Sequence, residues 1–204
     1  MELESAKTGE ANQDDFVVLD NFGKQRLPNE AVAPILFKSE DGAWKLIGTA
    51  FFLTGNGLLA TAKHVLDDLF EENGSPRCQT EIIQFQPDGN EYFRRKLVRC
   101  SRHPCADLAI AVAEQLGFRS SGSPLVNACI TLSTRDLDVS EKVFTYAYPN
   151  TVHLPGYPQG IHMNPRYYSG NISEYFPDGR DRVLLPGPCY QTSITIHGGP
   201  PASE

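Results

Sequence analysis

Long apolar runs are missing from this chain. No stretch approaches the roughly 18 consecutive apolar residues of a membrane-spanning helix, so no membrane partner is expected. The first residues, Met1-Glu-Leu-Glu-Ser-Ala-Lys-Thr8, carry no basic region followed by an apolar stretch, so no signal peptide is expected. Positive charge is also short. Against 25 Asp and Glu there are 18 Lys and Arg, a net charge of -7, and nucleic acid, which needs a basic patch, is not expected as a partner. The one basic cluster, Arg94-Arg95-Lys96, lies in an alternating segment and reads as a solvated strand face. Cysteine is sparse: five residues, an odd number, with no CxxC pair. Reduced thiols in a cytoplasmic protein fit this better than a disulfide framework.

Helical periodicity is scarce as well, while 17 Gly and 15 Pro punctuate the 204 residues. Short strands joined by turns follow from such a pattern, an all-β chain. Residues 1–30 form a polar, acidic leader in which only Phe16-Val-Val-Leu19 offers packing surface. From Ala31 strands are expected over 31–37, 44–53 and 58–62, with Gly55-Asn56-Gly57 as a tight turn. A helical turn is expected over Leu66-Asp-Asp-Leu-Phe70, then a hairpin of 81–86 and 91–99 around Asp88-Gly89. The sixth strand is Asp107-Leu-Ala-Ile-Ala-Val112, with a carboxylate at its start. These six runs suffice for a small antiparallel barrel over residues 31–116. Beyond a Gly/Ser/Pro-rich connector, residues 117–204 carry fewer strands: 141–147, 167–175, 182–185 and 190–196, with a loop over 150–166. A second barrel built from them is incomplete.

Two residues in the first half carry chemistry. His64 ends the apolar run Leu58-Leu-Ala-Thr-Ala-Lys-His64, which fixes its backbone while leaving the ring free to face a cleft. Asp107 opens an otherwise apolar strand, where a carboxylate needs hydrogen-bond donors to offset its desolvation. A histidine Nδ1–H is such a donor. Such a pair reads equally well as a structural contact or as a catalytic one, in which the carboxylate fixes the imidazole tautomer and stabilises the imidazolium formed when the ring takes a proton.

The block Gly48-Thr-Ala-Phe-Phe-Leu-Thr-Gly-Asn-Gly-Leu-Leu-Ala-Thr-Ala-Lys-His-Val65 resembles the strand, turn, strand and catalytic-histidine block of trypsin-like serine proteases, in particular the bacterial HtrA-like members. Asp107-Leu-Ala-Ile110 is similar to their Asp-Leu-Ala-Val/Ile block, and the spacing of 43 residues from His64 suits that family. Glu141-Lys-Val-Phe-Thr-Tyr-Ala-Tyr-Pro149 is similar to the strand that opens their second barrel. The resemblance implies a chymotrypsin-like double antiparallel β-barrel, a peptide or protein substrate, and hydrolysis through a Ser-His-Asp triad without cofactor or metal.

The nucleophile end departs from the family pattern Gly-x-Ser-Gly-Gly-Pro. The sequence reads His197-Gly-Gly-Pro-Pro-Ala-Ser203-Glu204. In one alignment Ser203 is the nucleophile and the glycines and strands after it are missing, as in a truncated domain. In the other, His197 stands where the family has serine, with Thr195 supplying an oxyanion-hole N–H. The first is preferred. There the second oxyanion donor falls on Pro201, which has no N–H, and losing one such donor costs roughly 10²–10³ in rate. Weak or absent activity is therefore expected, with an inert peptide- or protein-binding module as the alternative.

Other candidates rank lower. Cys105 and Cys189 sit in no Gly-x-Cys-Gly turn. His153, His162 and His197 lack metal-ligand spacing. The Gly55-Asn56-Gly57 turn has no following Lys-Ser/Thr to make a phosphate loop. Tyr157, Tyr167, Tyr168 and Tyr175 read as a peptide groove or, equally well, as ordinary strand packing.

Overall fold

A computed structural model describes residues 18–20, 23–85, 92–117, 124, 126–149, 152–153, 161–162, 165–181 and 185–195. In chain order, β1 (Val18–Leu19) and β2 (Gln25–Arg26) form a short antiparallel pair, followed by a single helical turn, α1 (Pro28–Ala31). The Glu30 carboxylate accepts the N–H of Leu27 at 2.9 Å, and Pro28 has no N–H that would need an acceptor in that first turn.

Six strands then close a barrel: β3 (Val32–Lys38), β4 (Trp44–Phe52), β5 (Leu58–Thr61), β6 (Thr80–Phe85), β7 (Tyr92–Arg102) and β8 (Ala109–Ala113). Their order around the barrel is β3-β4-β5-β8-β7-β6, every pairing antiparallel, so no edge of this sheet is left open. The two-residue side-chain period turns Ala33, Ile35, Ala50, Phe52, Leu59, Ile82 and Leu97 inward. Leu66, Leu69 and Phe70, from the segment after β5, close one end of this core. On β8 the inward residues are the alanines at 109, 111 and 113, while Ile110 and Val112, and Leu108 just before the strand, are exposed. A narrow interior already filled by Phe52 and Ile82 takes the small side chains, so the apolar strand expected from sequence carries its larger residues outside.

Arg95 corrects a second expectation. It sits inside the barrel, fully buried, rather than on a solvated face. The alternation of β7 points Arg95 and Leu97 the same way, and the guanidinium is accommodated by acceptors. Nε donates to the Glu114 carbonyl at 2.8 Å, and Nη1 donates to Gln84 Oε1 and Asn127 Oδ1, both at 2.7 Å. The Phe52 ring lies 5.4 Å away. Its neighbour Arg94 covers Trp44 at 4.3 Å and pairs with Glu81 at 2.5 Å.

The second half contributes β9 (Lys142–Ala147), the short pair β10 (Val152–His153) and β11 (Ile161–His162), then β12 (Arg166–Phe176) and β13 (Cys189–Thr192). The pair β10–β11 falls where a loop was expected. Strands β13, β12 and β9 make a three-stranded antiparallel sheet. Leu185 lies outside any strand, and 182–184 are beyond the described residues, as is the Asp88-Gly89 turn. Tyr148 ties this half to the first barrel: buried, it donates its hydroxyl to the Val32 carbonyl at 3.0 Å. Tyr167 packs on Tyr146, and Tyr175 stacks on Tyr190, so both serve strand packing. Among the described residues no helix is long and apolar enough to cross a membrane. The five cysteines are free thiols.

Candidate active site

Strand β5 delivers the chain to α2 (Lys63–Leu66), a single turn carrying His64. The sequence points to a helical turn three residues later. Its actual start is set by a tertiary contact, since the N-cap residue Ala62 has no side chain able to cap. The missing acceptor comes from Asp107, whose Oδ1 takes the His64 N–H at 2.9 Å. A carboxylate at this position also meets the positive end of the turn's peptide dipoles.

The same carboxylate engages the ring. Asp107 Oδ2 lies 2.7 Å from His64 Nδ1. With an ionised acceptor there, Nδ1 carries the proton and Nε2 of the neutral ring keeps its lone pair. No described residue hydrogen-bonds Nε2, and the His64 side chain is 72% exposed. The ring is thus fixed on one side and open to a substrate or nucleophile on the other. Burial acts to raise the Asp107 pKa, but the His64 amide, the His64 ring and the Lys63 amide outweigh it and hold the carboxyl below its ordinary value.

Asp107 does not sit on β8 itself. It lies in the exposed turn between β7 and β8, two residues before the strand begins. Two residues of this region, unremarked in the sequence, bond the segments that flank the pair. Arg102, at the end of β7, reaches the segment after α2. Its Nη2 donates to the carbonyls of Leu66, Asp67 and Phe70 at 3.3, 3.1 and 2.7 Å, and Nη1 donates to that of Glu71 at 3.0 Å. Its Nε meets the Asp67 carboxylate at 2.9 Å. His103 folds its ring back onto the turn that carries Asp107. Their place immediately before the Asp107 block was the available signal, but neither motif nor periodicity marks such contacts.

Of the residues singled out from sequence, His64 and Asp107 are brought together. Ser203 and His197 lie outside the described residues, as does Tyr157. Cys105 is exposed in the Asp107 turn, and Cys189 begins β13 opposite Phe176. Neither bonds His64 in the described structure.

No family model matches the chain, and the search of curated proteins gives no match. Among solved structures, the HtrA-type protease AlgW with decapeptide superposes with a TM-score of 0.51 at 18% identity, covering 84% of this chain and 50% of that one. A second AlgW structure with decapeptide gives 0.48 at 16% identity, covering 82% and 48%. The chain thus spans about half the length of the protease it matches. The fold is the chymotrypsin-like protease fold, with a closed first barrel and a partial second one.

Proposed function

We propose that the chain is a serine-endopeptidase domain of the trypsin-like, HtrA-like type, with residues 31–116 carrying His64 and Asp107 and residues 117–204 carrying the nucleophile. The observation that supports it most is the hydrogen bond between His64 Nδ1 and Asp107 Oδ2, 2.7 Å long, on a chymotrypsin-like barrel. In this reading the neutral Nε2 of His64 takes the Ser203 hydroxyl proton as the oxygen attacks the scissile carbonyl. It then gives that proton to the leaving amine, and water repeats the sequence on the acyl-enzyme. Asp107 holds the ring in the one tautomer that allows this and offsets the positive charge it acquires. The free thiols suit a cytoplasmic setting.

A second reading, favoured by one feature, is a peptide-binding module that does not cleave. Pro201 stands two residues before Ser203, where the backbone supplies an oxyanion donor in the family, and proline has none to give. The AlgW structures hold a decapeptide, which makes an extended peptide the first ligand to try. A fluorophosphonate probe separates the readings. Labelling that disappears in both Ser203→Ala and His64→Ala supports the peptidase. An unlabelled protein that binds peptide in a fluorescence-anisotropy assay supports the binding module, and an unlabelled protein that binds none removes both.

A further inference from the structure

We propose that His103 is a positioning residue for Asp107: its imidazole builds the turn that aims the carboxylate at His64. The inference concerns the geometry of the pair, and its bearing on catalysis rests on the peptidase reading above.

Strand β7 ends at Arg102 and β8 begins at Ala109, so the chain reverses within residues 103–108. All six are exposed. With every residue exposed, the turn has little packing to hold it, and apart from the two Asp107–His64 bonds its shape rests on its own hydrogen bonds. The His103 N–H donates to the Leu108 carbonyl at 2.8 Å and closes the turn, and the Leu108 N–H donates to the Ala106 carbonyl at 2.8 Å. Inside it, His103 Nδ1 accepts two further backbone donors, the N–H of Ala106 at 2.8 Å and that of Cys105 at 3.2 Å. Pro104 has no N–H to place and restricts its own φ. The donors of 105, 106 and 108 are therefore all satisfied within the turn, immediately on either side of Asp107.

Such a bracket, with a side-chain acceptor taking amides two and three residues on, is ordinarily made by Asn or Asp. Imidazole Nδ1 stands at the same number of bonds from Cβ as the Oδ1 of those residues, so His103 makes the same turn with a ring. Accepting at Nδ1 requires the proton to sit on Nε2. An exposed six-residue turn without these two bonds samples other shapes, and the two-point grip of Asp107 on His64 goes with them.

Backbone hydrogen exchange tests this, because the His64 amide is itself held by Asp107 Oδ1. His103→Leu is expected to lower the protection of the His64 amide about tenfold, the loss of about one hydrogen bond, while the amides of Ile82 and Leu97 in the barrel keep theirs. His103→Asn, which restores an acceptor at the same reach, is expected to keep His64 protection within about twofold of the native protein. Asp107→Asn supplies the benchmark for a broken grip. Unchanged His64 protection in His103→Leu overturns the proposal, and so does a loss in His103→Asn as large as in the leucine variant. Should His103→Leu unfold the whole barrel, His103→Asn decides: retained protection supports the role and lost protection overturns it. None of these readouts uses the fluorophosphonate reaction, so an inert protein leaves the inference intact and a failed inference leaves the peptidase reading intact.

Discussion

Asp107 grips His64 twice, once at the backbone N–H through Oδ1 and once at ring Nδ1 through Oδ2. One carboxylate thereby starts the helical turn and orients the imidazole on it, so the position of the turn and the tautomer of the ring depend on the same group.

That dual role has a pH signature. The Asp107 carboxyl titrates below its ordinary value of 3.8 in the folded protein. A carboxyl whose pKa falls on folding stabilises the fold above its unfolded value, and the contribution is lost as the pH drops through the folded one. Asp107→Asn is expected to lower stability at pH 7, with the gap to the native protein narrowing below pH 3.8. Urea titrations of both proteins between pH 7 and acid measure it, and a gap that widens toward acid contradicts it. Where hydrolysis is detectable, the same substitution is expected to lower kcat by about 10⁴-fold through loss of the tautomer.

Gly48 makes room for the turn from the other side. A Cβ built there lies 2.7 and 2.8 Å from the two γ-carbons of Val65, the residue after His64. Valine is stiff at χ1 and half-buried here, so it cannot swing clear without moving its backbone. Gly48→Ala is expected to cost about 1–3 kcal/mol and to shift the amide resonances of residues 63–66 more than those of β6. Equal shifts in both regions would show that Gly48 matters only to the strand.

How much of this was legible in the sequence differs from element to element. The closed barrel follows from alternation and turn residues, and Gly57, at a φ of +103°, marks its tight turn. The proximity of His64 and Asp107 was suggested by two short blocks that resemble those of trypsin-like proteases, although His64 lies on α2 past the end of β5 and Asp107 in the turn before β8. The start of α2 was not legible, since its capping group lies 43 residues away. Nor was the Asp107 turn, which is shaped by a side-chain acceptor of an unusual type. Arg95 and the inverted β8 share one cause. Alternation tells which residues share a face but not which face is inside, and hydrophobicity points the wrong way where the interior is narrow and an arginine finds acceptors.

Arg95 should therefore behave as a buried polar keystone. Burial pulls its pKa down to about 10, and it remains a cation at neutral pH. Replacing it with methionine leaves Gln84, Asn127 and the Glu114 carbonyl without their donor, and Arg95→Met is expected to cost about 3 kcal/mol in urea unfolding. Adding Gln84→Leu removes one orphaned acceptor and is expected to recover part of the loss. A fully additive double variant contradicts the hydrogen-bonded network.

Arg102 is predicted to govern the segment after α2 rather than the barrel. Four backbone carbonyls between Leu66 and Glu71 converge on its guanidinium, together with the Asp67 carboxylate. Only Leu66 belongs to α2 and the other three lie in the turns after it, and the planar five-donor fork spans them as a lysine ammonium cannot. Arg102→Lys keeps the charge and loses the span. The expected result is a stability loss of about 1–2 kcal/mol. Exchange should accelerate more strongly at the Leu69 amide, which donates to Leu66, and at the Arg77 amide, which donates to Leu69, than at Ile82 or Leu97. If all four amides accelerate alike, the guanidinium contributes only to global stability, and the chain beyond His64 is held by the packing of Leu66, Leu69 and Phe70 instead.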